Sequence, residues 1–434
     1  MKKKIGVLCP VIILIGLLLC MIYMGQRPGD ISGKESEHIV SSRTTEYDET
    51  TESLMPSGES IAPESSQQDA EGSSESEEVV QSEDILETEI DRILASWTLE
   101  QKVAQLFFVT PEAVGGSTAV TEVSDGMKTG YMDYPVGGVI CMKKNLTGPD
   151  QTRELLQGLQ KLSRETLGVP IFLGVDEEGG TVARIANQTA FGVENVGNMA
   201  HIGATDDTGK AYQAGATIGT YLYDLGFTVD FAPVVDVLTN PENKLMAKRS
   251  FGSDASLVGA MATEFMVGLE EQGVLACAKH FPGHGDTKED SHEGFAFTDK
   301  TLEELRTQEL IPFAEQIAQG VSFIMVGHIS APNILGDSCP SSLSEVMITD
   351  VLREEMGYDR IVITDALNMG AIANNYTSGD AAVMALQAGV DILLMPKDFS
   401  GAYDAVLKAV ESGELSEERL EESLVRILKV KLGE

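Results

Sequence analysis

Between residues 105 and 396 of this 434-residue chain, short runs of apolar, β-branched and aromatic residues recur eight times. They fall at 105–110, 136–142, 171–176, 228–236, 275–280, 323–329, 360–366 and 392–396, each too short for a helix and bounded by turn residues. Amphipathic stretches of helical length lie between them, at 151–166, 210–225, 256–272, 301–319, 344–356, 380–388 and 403–412. A last one carries Leu420, Leu424 and Ile427. Parallel strands need crossover helices, so eight such units predict an α/β fold of the (β/α)8 TIM-type barrel class, forming a single catalytic domain over residues 85–434. An open doubly wound sheet is the alternative. Ahead of the first strand, Ile85, Leu86, Ile90, Ile93, Leu94 and Trp97 recur at helical spacing, and Thr98-Leu-Glu-Gln101 reads as a capping box.

In a barrel of this class the site sits at the C-terminal ends of the strands. Polar residues collect at those positions. The third run ends in Asp176, followed by Glu177-Glu178-Gly179-Gly180 and Arg184. The fourth ends at Asp236, with Arg249-Ser-Phe-Gly252 in the loop beyond. The fifth ends in Lys279-His280, the sixth at His328, the seventh in Thr364-Asp365. Singly, each has a plain structural explanation. Asp236 reads as a helix N-cap, Asp365 as either a cap or a functional carboxylate, His328 as a core histidine and Arg249 as half of a surface ion pair. Their convergence on one face favours a functional reading, because unpaired charge at the ends of buried strands is costly.

The densest cluster runs from Lys279 to Glu293, where three of the six histidines (His280, His284 and His292) stand with Asp286 and Asp290. His280-x-x-x-His284 has the spacing of two metal ligands on a helix, but Pro282 and Gly283 between them exclude the helix, so no metal is expected. Asp290 and His292 are two apart, on one side of an extended segment. A carboxylate there orients the imidazole and stabilises its protonated form, and an imidazole is a usable acid and base near neutral pH. A Ser-His-Asp hydrolase lacks support, since no G-x-S-x-G elbow is present. No G-x-G-x-x-G follows a strand either, so no nucleotide cofactor is implied.

Taken together, K-H-F-P-G-H-G-D-T followed by D-S-H, G-V-D-E-E-G-G at 174–180, R-S-F-G at 249–252 and I-T-D-A-L-N-M-G-A at 363–371 resemble the motifs of glycoside hydrolase family 3, in its bacterial β-N-acetylglucosaminidase branch. The resemblance spans roughly residues 85–434. It implies a retaining β-N-acetylhexosaminidase releasing terminal N-acetylglucosamine, with peptidoglycan fragments as the expected carbohydrate substrate and no cofactor. By similarity Asp365 is the nucleophile, His292 the acid/base and Asp290 its partner. Asp176, Arg184, Arg249, Lys279 and His280 fall where the family binds sugar hydroxyls, while His284 and Asp286 belong to the bend and hinge of the loop. An imidazole repels anions less than a carboxylate does, which leaves phosphate open as the acceptor in place of water. Another β-glycosidase, a phosphorylase and a non-catalytic carbohydrate-binding protein are the alternatives. Glu177 and Thr181 stand where the family often has Gln and Arg, which bears on fine specificity. Many relatives append a second α/β domain; the expectation here is the single-domain branch, which disfavours a β-glucosidase.

Composition sets the outer limits. The chain has 31 basic and 68 acidic side chains, a formal net charge of −37, which argues against a nucleic-acid partner. The five cysteines show no paired spacing, so neither a disulfide framework nor a zinc site is expected. Lys2, Lys3 and Lys4 precede an apolar run from Ile5 to Met24, long enough to span a bilayer. Residues 1–25 are therefore expected to be a membrane anchor with an extracytoplasmic remainder, a lipoprotein or cleaved signal being the alternatives. Residues 26–84, rich in Ser, Thr and Glu, read as a disordered tether.

Overall fold

The computed structural model describes residues 74–287, 294 and 296–433, with side chains from residue 85 onward. Eight short strands form one sheet: β1 (Phe107–Val109), β2 (Gly138–Ile140), β3 (Phe172–Val175), β4 (Val229–Asp230), β5 (Leu275–Phe281), β6 (Phe323–Val326), β7 (Ile361–Thr364) and β8 (Leu393–Leu394). Each pairs in parallel with its sequence neighbour, and β1 also pairs with β8. A parallel bridge between Ile363 and Ile392 joins β7 to β8 and closes the ring. All eight expected runs become barrel strands, and the open-sheet alternative fails on that closure. The strands are apolar almost without alternation because both faces are covered, the inside by the barrel core and the outside by helices. In β7, Ile361, Val362, Ile363 and Thr364 are all buried.

The interior is filled by rings. Phe108 lies parallel to Phe172 with centroids 6.4 Å apart and meets Phe231 edge-on at 5.3 Å. Gly138 and Gly174 make room for it: a Cβ on Gly138 would lie 2.4 Å from the Phe108 ring, and one on Gly174 would lie 2.7 Å from it. At the opposite end from the strand C-termini, Lys431 of the last helix (Glu417–Leu432) donates to Gln105 at 2.7 Å and lies 5.0 Å from the centre of the Phe172 ring. Asp391 ties that helix down, accepting from Arg426 at 3.0 Å and from Ser423 at 2.8 Å.

The predicted helices are found, with differences of physical interest. The stretch expected as one helix at 301–319 is two, Leu302–Arg306 and Leu310–Ala318, with Pro312 in the first turn of the second. The one expected at 344–356 is a π-helix over Val346–Glu355. The Thr98 capping box opens helix Leu99–Ala104. The tether expected over 26–84 is too long at its C-terminal end. Helix Ser74–Ser96 begins within it. Residues 1–73, including the proposed anchor, lie outside the described residues. Among those described, no helix is long and apolar enough to cross a membrane.

Candidate active site

At the C-terminal ends of β3 and β5, five charged side chains interlock. Arg249 grips Glu178 with two hydrogen bonds, Nε and Nη2 each 2.7 Å from a carboxylate oxygen. Lys279 reaches Glu178 at 2.7 Å and Asp176 at 3.1 Å, and Arg184 reaches Asp176 at 3.4 Å. Glu178 is buried in this cluster. Burial pushes its carboxyl upward, but the Arg249 and Lys279 charges outweigh that and hold it well below the usual carboxylate range. Burial opposes the charge on Lys279 too, and Glu178 and Asp176 reverse it, so the ammonium is held above its ordinary range. The Nε of Arg184 is buried with no hydrogen-bond partner among the described residues.

Glu178 has no role assigned from the sequence motifs alone. The signal was available. Glu177–Gly179 is the first strand of a ribbon paired with Val182–Ala183, and neighbouring residues in a strand point to opposite faces. Glu178 faces the cations. Glu177 turns the other way and accepts from the Ile185 and Ala186 amides and from the Tyr221 hydroxyl, each at 2.8 Å. The departure at Glu177 thus serves the ribbon's own scaffold, where burial raises its pKa.

A second group joins β4 to β5. Asp236 is not a helix cap, and no helix begins there. Its carboxylate pairs with His280 Nδ1 at 2.7 Å and accepts the backbone N–H of His284 at 2.6 Å. Burial alone would raise its pKa, and the His280 charge brings it below the ordinary value. The other ring nitrogen of His280 lies 3.3 Å from Arg249 Nη2. The β5–β6 register advances by two residues on β5 against one on β6, between Lys279 and Phe281. That bulge re-aims the strand end so that Lys279 meets Asp176 and Glu178 while its neighbour His280 meets Asp236 and Arg249.

The bend after β5 is pinned by other chains of atoms. Asn243 donates to the His284 carbonyl at 2.8 Å, the Asn240 amide donates to Gly285 O at 3.1 Å and its side chain to Thr287 O at 3.2 Å. A Cβ on Gly285 would lie 1.8 Å from Val237 O, so only glycine fits. Burial pushes the His284 imidazole down to about 4, which keeps it neutral beside His280. Asp286 accepts from Thr298 at 2.8 Å, with Lys300 at 3.9 Å. His284 and Asp286 are thus both held within the bend by these contacts. Asp290 and His292 lie outside the described residues.

Across the mouth, Asp365 follows β7. Its backbone N–H donates to Val326 O at 2.9 Å, and its carboxylate accepts the Ala366 N–H at 2.7 Å. Burial raises the carboxyl, but the fields of His280 and His328, the Ala366 N–H and Lys279 together lower it, so it is ionised at neutral pH. His328, buried at the end of β6, is held by Ser342 at 2.7 Å and the Ala366 carbonyl at 3.0 Å. It supports the Asp365 turn. Among the described residues no group of three or more His, Cys, Asp or Glu side chains is arranged to hold a metal ion.

The ends of β3, β4, β5 and β7 thus bring Asp176, Arg184, Arg249, Lys279, His280 and Asp365 to one face. Known proteins share this arrangement of sequence and fold. The pattern of the glycosyl hydrolase family 3 N-terminal domain matches residues 98–430. Beta-hexosaminidase A of Pseudoalteromonas piscicida is 37% identical over 322 residues, covering 69% of this chain and 53% of that protein. Beta-hexosaminidase LpqI of Mycobacterium tuberculosis is 33% identical over 339 residues, covering 76% and 82%. A family 3 β-N-acetylglucosaminidase from Paenibacillus sp. str. FPU-7 superposes with a TM-score of 0.73 at 40% identity, covering 78% of this chain and 62% of that one. The chain spans about half the length of the Pseudoalteromonas relative. By sequence and by fold, the chain belongs to glycosyl hydrolase family 3.

Proposed function

We propose that the protein is a retaining β-N-acetylhexosaminidase that removes terminal β-linked N-acetylglucosamine from glycans, with peptidoglycan fragments as its substrate class. The observation that carries this reading is the ionised carboxylate of Asp365 after β7, on the same face as Lys279 and His280 at the end of β5 and Arg249 in the loop after β4. The names of the Pseudoalteromonas, Mycobacterium and Paenibacillus relatives support the sugar.

Each part of the site has a task in this chemistry. Asp176, Arg184, Arg249, Lys279 and His280 bind the hydroxyls of the terminal sugar, and Glu178 holds Arg249 and Lys279 in position for it. An Asp365 oxygen attacks the anomeric carbon as the glycosidic bond breaks, and His292 gives its proton to the departing oxygen. A covalent glycosyl–Asp365 ester results. His292, kept oriented by Asp290, then takes a proton from water as that water displaces Asp365 and restores both groups. Charge grows on the ring oxygen and anomeric carbon in both transition states. A carboxylate held ionised is suited to stabilise it. The lysines at the N-terminus and the apolar run to Met24 support an extracytoplasmic enzyme held at the membrane.

Turnover of an aryl β-N-acetylglucosaminide tests the proposal. Asp365→Ala abolishes it, and His292→Ala lowers kcat by about 10²–10⁴-fold, the usual contribution of a general acid. Wild-type rates in either variant would refute the mechanism. Release of a sugar phosphate in phosphate buffer would make the enzyme a phosphorylase instead.

A further inference from the structure

The turn that carries Asp365 is held on both sides. The Asp365 N–H donates to Val326 O at 2.9 Å and the Leu367 N–H to Leu394 O at 2.9 Å, so the peptide planes flanking the Asp365–Ala366 bond are tied to β6 and β8. Between them the Ala366 N–H donates to Asp365 Oδ1 at 2.7 Å, leaving the other carboxylate oxygen for attack. The Ala366 carbonyl lies in the same plane as the Leu367 N–H. It accepts from the Met369 N–H at 3.0 Å and meets His328 Nε2 at 3.0 Å, which uses both its lone pairs.

His328 reaches that carbonyl from the end of β6. Gly327 keeps β6 close to β5 there: its N–H donates to Phe281 O at 2.8 Å, and a Cβ on it would lie 3.1 Å from the His280 Cβ. The His328 ring is buried and both its nitrogens are engaged, Nδ1 with Ser342 Oγ at 2.7 Å and Nε2 with Ala366 O. A carbonyl oxygen only accepts, so Nε2 carries a proton. In the neutral ring Nδ1 is then the acceptor, and the Ser342 O–H donates to it. Ser342 thus selects the tautomer that the Ala366 carbonyl requires.

Ser342 is itself fixed. It is buried in the short helical turn Ser341–Leu343. Ser341 Oγ donates to Ile329 O at 2.7 Å, and an antiparallel bridge joins Ser330 to Pro340. The turn therefore stays beside the segment that follows His328, and the hydroxyl is presented to the ring without a search over rotamers of a mobile loop.

We propose that His328 and Ser342 are positioning residues for the reaction. Ser342 fixes a proton of the His328 imidazole on Nε2, and His328 fixes the Ala366–Leu367 peptide plane that aims the Asp365 carboxylate. The proposal rests on the reading of Asp365 as the nucleophile. The sugar-binding cations are held by other contacts, Lys279 by Glu178 and Asp176 and Arg249 by Glu178. The device therefore acts on formation of the bond to the sugar and not on sugar binding. A histidine that only filled the core would be replaceable by an apolar side chain of similar size.

Kinetics on an aryl β-N-acetylglucosaminide and NMR of isotope-labelled histidine in the whole protein test this together. His328→Met should lower kcat by about 10²-fold with KM little changed, because misplacing the reacting carboxylate acts on the transition state. His328→Gln, whose amide N–H replaces the Nε2 donor, should recover about tenfold of that loss. Ser342→Ala should lower kcat by about threefold to tenfold, as for one buried hydrogen bond, and Ser342→Thr should restore it. In alkaline buffer the His328 signal, assigned by its absence from His328→Gln, should show the ring proton on Nε2, and Ser342→Ala should move part of it to Nδ1. Wild-type kcat in His328→Met or Ser342→Ala, a His328→Gln no faster than His328→Met, a loss confined to KM, or a wild-type ring with its proton on Nδ1 would each overturn the proposal. If His328→Met does not fold, the Ser342 variants and the tautomer decide. The tautomer is read without turnover. A protein with the proton on Nε2 that turns over no N-acetylglucosaminide would overturn the function, and the positioning role with it, while the Ser342–His328–Ala366 lock stands.

Discussion

Replacing Glu178 by Gln tests the charge cluster on which the sugar-binding geometry depends. The substitution keeps the volume and removes one negative charge between two cations. Arg249 and Glu178 share two 2.7 Å contacts, and Lys279 adds a third. The side chains are 12%, 3% and 3% exposed, so solvent screens the loss very little. With Gln in place, Lys279 keeps Asp176, while Arg249 keeps at most one neutral amide oxygen and the imidazole nitrogen of His280, and the new NH2 group faces a cation. Leaving one partner of a buried pair uncompensated costs about 3–5 kcal/mol. For a domain of this size that is a fall in Tm of roughly 5–10 °C. The acid limb changes as well. Glu178 has a folded pKa below its unfolded value, so the unfolded chain takes up the proton first. The stabilisation is complete above about pH 4.5 and is lost as pH falls through the depressed pKa. The variant should therefore be less stable at pH 7 and lose less than wild type on acidification. Calorimetric unfolding at pH 7 and at pH 4 reads both effects, and KM for an aryl N-acetylglucosaminide should rise. A Tm within 1 °C of wild type at pH 7, as an order-of-magnitude threshold, would refute the reasoning.

Two further substitutions probe parts distant from the chemistry. Burial pushes the Lys431 ammonium down to about 7, well below its unfolded value, so the unfolded chain binds the extra proton between pH 7 and about 10. Stability should rise with pH across that window by on the order of 2 kcal/mol, less than burial alone implies because Gln105 and the Phe172 ring favour the charged form; Lys431→Met should raise Tm at pH 7 and flatten the rise. Gly285→Ala drives a methyl into Val237 O, so it should displace the bend after β5 and cut kcat by about 10²-fold through misplacement of the segment it leads into, while Tm falls less than in Glu178→Gln.

Much of the fold was legible because the signals were redundant. A strand such as Ile361–Thr364, buried on both faces, is apolar at every position, and the crossover lengths between such runs leave few topologies. The ends of the strands also announced the site, since Asp176, Lys279, His280 and Asp365 have no packing reason to be there. What escaped was partnership. Asp236 looked like a cap because a strand-end aspartate usually is one; only the three-dimensional path of β5 brings the His280 ring to it. Glu178 looked like a second copy of Glu177, although strand alternation assigns the two to opposite faces. His328 looked like a core histidine because Ser342 and Ala366 are distant from it in sequence and reach its ring only through the fold. The tether's end was misread because Ser- and Glu-rich sequence satisfies a helix start as readily as disorder.

The central claim is that Asp365 forms a covalent bond to the sugar. A 5-fluoro-N-acetylglucosaminyl fluoride tests it, since the ring fluorine slows both steps and the fluoride leaving group restores only the first. After incubation and peptide mapping by mass spectrometry, the peptide holding Ile363-Thr364-Asp365-Ala366 should carry one fluoro-sugar, and Asp365→Ala protein should carry none. A label on another carboxylate, or turnover that releases the sugar with inverted configuration and no label, would contradict the account.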